Sequence, residues 1–496
     1  MRNRILWSLL TLSLFGCTVG PDYRQPIVET PPSWRFEEKE AREVINTAWW
    51  EQFDDPVLND LIQTALKNNK DVQMAAARVE EFMGRYGLTR AALFPQVGAG
   101  ASAGRSRQTG EGPTALTSAT ENPANSFLAF LNASWEIDLW GKLRRATEAS
   151  RADLLSTEEG RRAVILTLLT SVASAYVNLR DLDTQLEIAQ RTAKSRGDSY
   201  NLFQLRFQRG VISELELSQI KSQYEQALAT IPFIEKTVAQ QENAISVLLG
   251  RNPGPIPRGK KVDELVLPAV PAGLPSDLLA NRPDIRQAEQ DLIAANARIG
   301  VARSLYFPTI SLTGLFGFAS TDLSNLFSGS ARTWSFAVPV AQPIFTGGAI
   351  RGQVKSAEAV QKQALLRYQQ VIQTAFREVE DALIDQKRTR EQLEIQTRQV
   401  ESLQNYARFA RLRFDNGYTS YIEVLDAERS LFAAELFRAQ TKGVLFQGLV
   451  NLYKAMGGGW VVEADHMAGV PADSEISARR PPVFQETVSG KVKAKE

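Results

Sequence analysis

Between Ile165 and Phe207 the apolar positions fall at alternating spacings of three and four. They are Leu168, Val172, Ala175, Leu179, Leu182, Leu186, Ala189, Ala193, Tyr200, Phe203 and Phe207, and only Arg196 breaks the rhythm. That spacing is the stripe of a heptad repeat, sustained over about six heptads, and it predicts a long supercoiled helix. The proline-free run from Lys142 to Arg209 that carries it would span roughly 100 Å at about 1.5 Å per residue.

The pattern occurs twice. Gln185-Leu186-Glu187-Ile188 returns as Gln392-Leu393-Glu394-Ile395, and Leu205-Arg206-Phe207 with Gly210 returns as Leu412-Arg413-Phe414 with Gly417, both 207 residues on. Carried by that offset, the stripe reappears as Ile372, Ala375, Val379, Ala382, Leu393, Val400, Leu403, Ala407, Ala410 and Phe414, interrupted by Gln386, Thr389 and Gln396. Upstream, Asp71, Ala75, Arg85, Gly87, Arg90 and Phe94-Pro95 match Asp284, Ala288, Arg298, Gly300, Arg303 and Phe307-Pro308 at an offset of 213. One structural half is therefore used twice, and the halves differ in length only between those two blocks.

That intervening segment reads as two strands around a loop. Phe127, Ala129, Leu131, Ala133, Trp135, Ile137 and Leu139 alternate with Leu128, Phe130, Asn132, Ser134, Glu136 and Asp138. In the second half the strands are Thr309–Phe318 and Trp334–Ile344. A helix is expected from Pro56 to about Leu93, with Asp55 as its N-cap. The predicted organisation is 1–16 signal peptide, 17–55 arm, 56–250 first repeat with a strand hairpin at 96–139, 251–275 Pro/Gly-rich linker, 276–457 second repeat with a hairpin at 309–344, and 458–496 tail.

Segments of about ten alternating residues suit strands that cross an outer membrane. Four strands per chain cannot close by themselves, and an open sheet edge cannot face lipid. Three chains would give twelve strands and a closed barrel, whereas two would give eight, too narrow for a pore. The expected fold is thus an α+β membrane protein: a trimeric β-barrel continued by a helical coiled-coil barrel. The competing reading, strands of a soluble sheet packed on helices, leaves helices of such length with no compact domain to pack on.

Composition narrows the class. The formal charge of +1 over 496 residues gives no basic face for nucleic acid. One histidine, His466, and one cysteine, Cys17, leave no disulfide framework and no His/Cys metal cluster. Neither a Ser/His/Asp arrangement nor a phosphate loop is present, so no enzyme and no cofactor is expected. Arg2 and Arg4 precede a short apolar run, Ile5 to Phe15, which ends in Leu14-Phe15-Gly16-Cys17. Small residues before a cysteine resemble the lipobox of a bacterial lipoprotein, which would place lipid on Cys17, and Thr18 after it favours export to the outer membrane. Beyond Cys17 no apolar run is expected to reach the length of a transmembrane helix.

Several segments carry a family resemblance: Trp49-Trp50 through Ala76-Ala77-Arg78; Trp135-Glu136-Ile137-Asp138-Leu139-Trp140-Gly141; Arg282-Pro283-Asp284-Ile285 through Ala294-Ala295-Asn296-Ala297; Pro343-Ile344-Phe345 with Gly347-Gly348; and Val424-Leu425-Asp426-Ala427 with Arg429. In that order, behind a lipobox, they resemble the TolC-like outer-membrane efflux factors, in their lipoprotein (OprM/NodT-type) branch. The resemblance implies a homotrimeric tube through the outer membrane and into the periplasm. It implies docking on a periplasmic adaptor (a membrane fusion protein) and an inner-membrane pump of the RND type, and passive exit for drugs or other toxic compounds. A lipid-anchored periplasmic coiled-coil scaffold without a pore is the alternative. It keeps the heptads and the lipobox but leaves the duplicated hairpins unexplained.

By the same resemblance the periplasmic mouth is closed by Ile422, Glu423, Asp426 and Arg429. From spacing alone those residues read as a solvated helix face with an i,i+3 ion pair. Carboxylates in a threefold ring would repel one another and attract cations, which makes a filter or gate. Some relatives latch this gate with a basic residue near Thr419, so the latch implied here differs. The turns at Gly210, with Ser213, Glu214 and Glu216, and at Gly417 to Ser420 are the implied adaptor docking points.

Overall fold

A computed structural model describes residues 18–36, 48–109, 121–267, 277–458 and 464. The signal segment, Cys17 and His466 lie outside the described residues, as do parts of the arm, linker and tail. The chain divides into two compact units.

The first unit takes in the described residues up to Glu29, then Ala77–Gly160 and Asp284–Gln373. At its centre is one antiparallel sheet in the order β1 (Gln96–Ser106), β2 (Ala124–Glu136), β3 (Thr309–Ser320), β4 (Arg332–Ala337), with the two-residue β5 (Val340–Ala341) also on β3. The register aligns Ala99, Leu131, Phe316 and Trp334 in one row and Val97, Ala133, Gly314 and Phe336 in the next. Alternate residues share a face, so both rows lie on one side. That side is apolar and open: Leu131 is 52% exposed, Phe316 48% and Trp334 73%. The other side carries Gly98, Asn132, Leu315 and Ser335 in one row and Ser134 and Thr313 in the next.

The last strand is shorter than the expected Trp334–Ile344. Pro339 has no N–H to give the ladder, and its carbonyl accepts from Ser311 N–H at 3.1 Å, so β4 stops at Ala337 and pairing resumes for only two residues. Below the sheet, the extended arm is held residue by residue. Val19 N–H donates to Trp140 O (3.0 Å), Asn296 Nδ2 to Pro21 O (2.9 Å), Arg145 to Asp22 (2.5 Å) and Tyr23 Oη to Glu289 (3.0 Å).

The second unit comprises Thr30–Ala76, Arg161–Pro283 and the described residues from Thr374 onward. Its hub is Asp55, fully buried. The carboxylate caps α1 (Pro56–Asn68) by accepting from Val57 N–H (2.9 Å), and it also accepts from Tyr176 Oη (2.8 Å) and Lys260 N–H (3.0 Å). Gly259 passes so close that a Cβ there would fall 2.1 Å from Asp55 Oδ1. Trp49 stacks on Tyr453 (5.3 Å between rings) and Phe53 lies against Phe446 (5.8 Å).

The single helix expected from Pro56 is two. α1 ends at Asn68 and α2 runs Lys70–Ala91. Asn69 leaves helical geometry (ψ 133°) because its side chain is used twice: Oδ1 accepts from Asp71 and Val72 N–H, and Nδ2 donates to Leu248 O at 2.9 Å. The same break recurs 213 residues on. Between α5 (Asp277–Asn281) and α6 (Pro283–Ser304), Arg282 donates to Ala455 O at 2.9 Å, and Ala455 stands 207 residues after Leu248.

The long helices are α3 (Lys142–Gln208) and α7 (Ala349–Asp415), each 67 residues. They are followed by α4 (Glu214–Leu248) and α8 (Tyr421–Ala455), each 35. The stripe is buried at Leu168, Val172, Leu179, Leu182, Ala189, Ala193 and Phe203 on α3, and at Ile372, Ala375, Val379, Ala382, Val400 and Ala410 on α7. Phe207, expected in the stripe, is exposed. Contrary to the sequence expectation, one 18-residue window of α3 is apolar enough to cross a membrane. More than half of that window is buried inside the protein, so its apolarity serves the core.

Among the polar side chains buried in this core are Gln386 and Asp181. Gln386 donates to Leu445 O (2.8 Å). Asp181 accepts from Gln185 Nε2 (2.9 Å) and fits because its neighbour is Gly443, where a Cβ would lie 2.9 Å from its Cγ. Burial lifts the Asp181 carboxyl from 3.8 to about 6. The folded state therefore holds this proton more tightly than the unfolded chain does. Its penalty is complete above pH 6 and fades as pH falls toward 4, and at about 1.4 kcal/mol per unit it reaches on the order of 3 kcal/mol. Asp181→Asn should raise the thermal midpoint at pH 7.5 and leave it nearly unchanged at pH 3.5; an equal shift at both would assign the effect to packing.

Candidate functional site

In the second unit, two turns join the paired helices. The α3–α4 turn has Gly210 at φ +72°, with its N–H on Phe207 O (2.9 Å) and Val211 N–H on Arg206 O (2.9 Å). The α7–α8 turn repeats this: Gly417 at φ +77° bonds Phe414 O (2.9 Å), and Tyr418 bonds Arg413 O (2.9 Å). Both are Schellman stops, in which glycine supplies the left-handed residue without strain.

Behind the turns lies one apolar cluster of Phe203, Ile220, Ala410, Tyr421, Val424 and Ala427, drawn from all four helices. Phe203 and Tyr421 meet at 4.1 Å, Phe414 and Tyr421 at 4.9 Å. Arg206 lies over both Phe203 (5.1 Å) and Phe414 (5.8 Å).

The two N-caps then diverge. Ser213 and Glu216 form a capping box: Ser213 N–H donates to Glu216 Oε2 (2.9 Å), and Glu216 N–H to Ser213 Oγ (3.3 Å). Ser420 has the same backbone angles but makes no side-chain cap bond. Glu423 occupies the place that Glu216 holds in the first turn, and it is turned elsewhere. It accepts from the Thr419 hydroxyl and from Arg413 Nη1 (3.3 Å). Thr419 is thus the hydroxyl partner of Glu423. Arg413 is a partner that spacing did not single out, because it lies ten residues away across the turn.

Asp426 and Arg429 form the expected i,i+3 pair at 2.6 Å, both about half exposed. An exposed pair of this kind is worth no more than about 1 kcal/mol, so it can exchange partners readily. Ile422 and Glu214 are exposed. The structure therefore gathers Ile422, Glu423, Asp426 and Arg429 near the start of α8. It places Gly210, Ser213 and Glu214 on the neighbouring turn. Opposite the Asp426 face, Glu428 points inward, and burial raises its carboxyl pKa against the pull of Arg411 and Arg196. Sequence reading passed over it, although it lies one heptad step from Tyr421 and four residues from the buried Phe432.

A family model described as outer membrane efflux protein matches residues 61–251 and again 274–458. The chain is 37% identical over 466 residues to the cation efflux system protein CusC of Escherichia coli, covering 92% of this chain and 99% of that protein. It is equally 37% identical over 472 residues to the toluene efflux pump outer membrane protein TtgC of Pseudomonas putida, covering 91% and 96%. The solved CmeC outer membrane channel of Campylobacter jejuni superposes with a TM-score of 0.85 at 27% identity, covering 91% of this chain and 98% of that one.

The divergent caps give a test. Ser213→Ala should destabilise the start of α4 by about 1 kcal/mol, while Ser420→Ala should change little. Amide exchange at the first turns of α4 and α8 reads the difference directly; equal deprotection of both would contradict it.

Proposed function

The chain belongs to the outer membrane efflux protein family, and on that premise we propose that three copies close one channel serving a tripartite efflux pump. It is an outer-membrane channel protein extending into the periplasm, and not an enzyme. The observation that supports the trimer best is the sheet. Four main strands, an exposed apolar face and an opposite face on which Asn132, Ser134, Thr313 and Ser335 join Leu128, Phe130 and Leu315 fit one third of a lipid-embedded, water-filled barrel. Twelve strands then continue as a tube of helices.

In this reading Cys17 carries the lipid anchor in the outer membrane. The turns at Gly210 and Gly417 receive the periplasmic adaptor, which couples the tube to an RND-type inner-membrane transporter. Compounds leave passively once the tube opens. Relatives named for cations and for toluene are equally similar to this chain, which fits a tube whose cargo is chosen by the pump.

Ile422, Glu423, Asp426 and Arg429 form the constriction. Threefold copies of Asp426 and Glu423 bring carboxylates together at the mouth, where they favour cations and oppose one another. Each carboxylate already has a cationic partner within its own chain, Arg413 or Arg429, so closure depends on how those arginines are shared. Replacing Glu423 and Asp426 together by Ala should raise single-channel conductance or weaken cation selectivity in planar bilayers; unchanged values for both would remove them from the gate. Substituting Gly210 by Val should abolish efflux while detergent-solubilised trimers persist, and normal drug export would remove that turn from docking.

A further inference from the structure

The apolar face of the sheet continues past the strands. Phe316 meets Phe318 edge-on at 6.2 Å, and Phe318 meets Phe327 of the β3–β4 loop at 5.5 Å. The loop is built on two short 3-10 turns, Leu323–Asn325 and Gly329–Ala331. Its own bonds hold it: Asp322 N–H donates to Ser320 Oγ (3.1 Å), Leu326 N–H to Leu323 O (3.3 Å), Ser328 N–H to Asn325 O (3.1 Å) and Ala331 N–H to Ser328 O (3.1 Å). Leu326 is buried, whereas Leu323 and Phe327 stand out at 64% and 73% exposure, comparable to Trp334 on the sheet.

Two arginines mark the same end of the sheet. Arg332 opens β4 opposite Phe318, in the row that also holds Ala129 and Ala101. Arg105 follows Val97, Ala99, Ala101 and Ala103 on that same face of β1. Both are exposed, and the acids at this end, Glu121 and Asp322, lie outside those rows. An arginine on a lipid-facing strand is tolerated near a headgroup layer, where its stem lies along apolar surface and its charge rises to the phosphates.

We propose that the β3–β4 loop and Arg332 form a binding site for a phosphate-bearing lipid of the outer leaflet, with Leu323 and Phe327 among its acyl chains and the guanidinium on its phosphate. This deepens the reading of the apolar sheet face as lipid-facing, and rests on it.

The height of the loop supports the site. Trp135 marks the lower limit of the apolar band: it is partly exposed, and its indole N–H donates to Leu93 O (3.0 Å), an apolar ring with a polar tip. A band about 25 Å tall, crossed by strands tilted about 40°, takes about ten residues. Counted up from Trp135 and its partner Leu312, that length ends near Asn125 and Asp322, so Leu323 and Phe327 fall at the upper boundary. Phe327 packs on β3, which is paired on both sides, so the loop lies over the face and away from the edges where another copy would join. The internal repeat supplies a contrast. Between Arg107 and Asn125 the first-half loop holds no aromatic residue, so the apolar foot belongs to the second hairpin alone. A loop already ordered by its own bonds also loses little freedom on docking.

The test uses full-length channel in phosphatidylcholine nanodiscs with and without lipid A, a phosphorylated glycolipid. The lipid A retained after transfer to detergent is counted by native mass spectrometry. Leu323→Ser/Phe327→Ser and Arg332→Ser should each retain about tenfold less than the natural protein, and Arg332→Lys should retain most of it. The natural protein should hold dephosphorylated lipid A as poorly as Arg332→Ser holds lipid A. Equal retention by all variants, or displacement of lipid A by millimolar inorganic phosphate alone, would overturn the site. A fluorophore is then attached to Phe327→Cys and, in a second sample, to Leu131→Cys, and exposed to brominated phosphatidylcholine; the natural protein, with Cys17 alone, sets the background. Both labels should be quenched. Quenching at Leu131 without quenching at Phe327 would take the loop out of lipid and leave the sheet reading standing; no quenching at either would overturn both.

Discussion

The peptide groups along the outer edges of β1 and β4 set the terms for everything else. Among the described residues β1 pairs only with β2, and β4 only with β3, so each leaves one row of N–H and C=O groups unpaired by the sheet. In water such an edge is tolerable. In hydrocarbon each unsatisfied group would cost several kcal/mol, and the exposed Leu131, Phe316 and Trp334 face suits only an apolar surround. The outer edges of β1 and β4 and the exposed apolar face therefore call for surfaces that the single chain does not itself supply.

The helices obey a related rule with different means. A helix of 67 residues needs partners along its full length, and α4 and α8 are only 35 residues each. Upstream, α3 meets α6 through Ser156 with Asp291, Glu159 with Arg286 and Asp153 with Arg298, and in each half the junction between the two shorter helices must satisfy orphan backbone groups. Asn69 and Arg282 do this at equivalent places, each reaching the carbonyl where the returning helix ends. Gly250 and Gly457 pass beside the same junctions with φ of +70° and +88°, which a side chain would resist.

How much of this could be read from the residues varied with the range of the force involved. The heptad stripe and the Asp55 cap are local, and they were legible: periodicity and a Ser/Asp/Asn-Pro signal act within one turn. The break at Asn69 was not, because the residue is a poor but permitted helix former and its reason for leaving the helix is a carbonyl 179 residues away. Pro339 was visible in the sequence, yet its effect on β4 depended on which edge of the strand faced β3. At the candidate gate, Asp426–Arg429 followed from spacing. Glu423–Arg413 did not, since the capping-box position predicts a bond back to Ser420 and the glutamate is instead drawn across the turn. Arg196 was seen as an irregularity. Its surroundings, the Gln223 carbonyl on α4 and the Phe432 ring on α8, come from distant parts of the chain.

The six-residue difference between the halves has a consequence for how the protein can vary. Each residue inserted into an α-helix turns all that follows by about 100°, so an insertion in α3 or α7 would swing the stripe out of the core. A strand pair has no such memory beyond its loop. The extra length of the first half falls between β1 and β2 or beside them, where the chain is free to lengthen without disturbing a helix. The loops that join the strands are thus the part of this architecture open to drift, and lineages facing different surroundings can remodel them while the helices keep their phase.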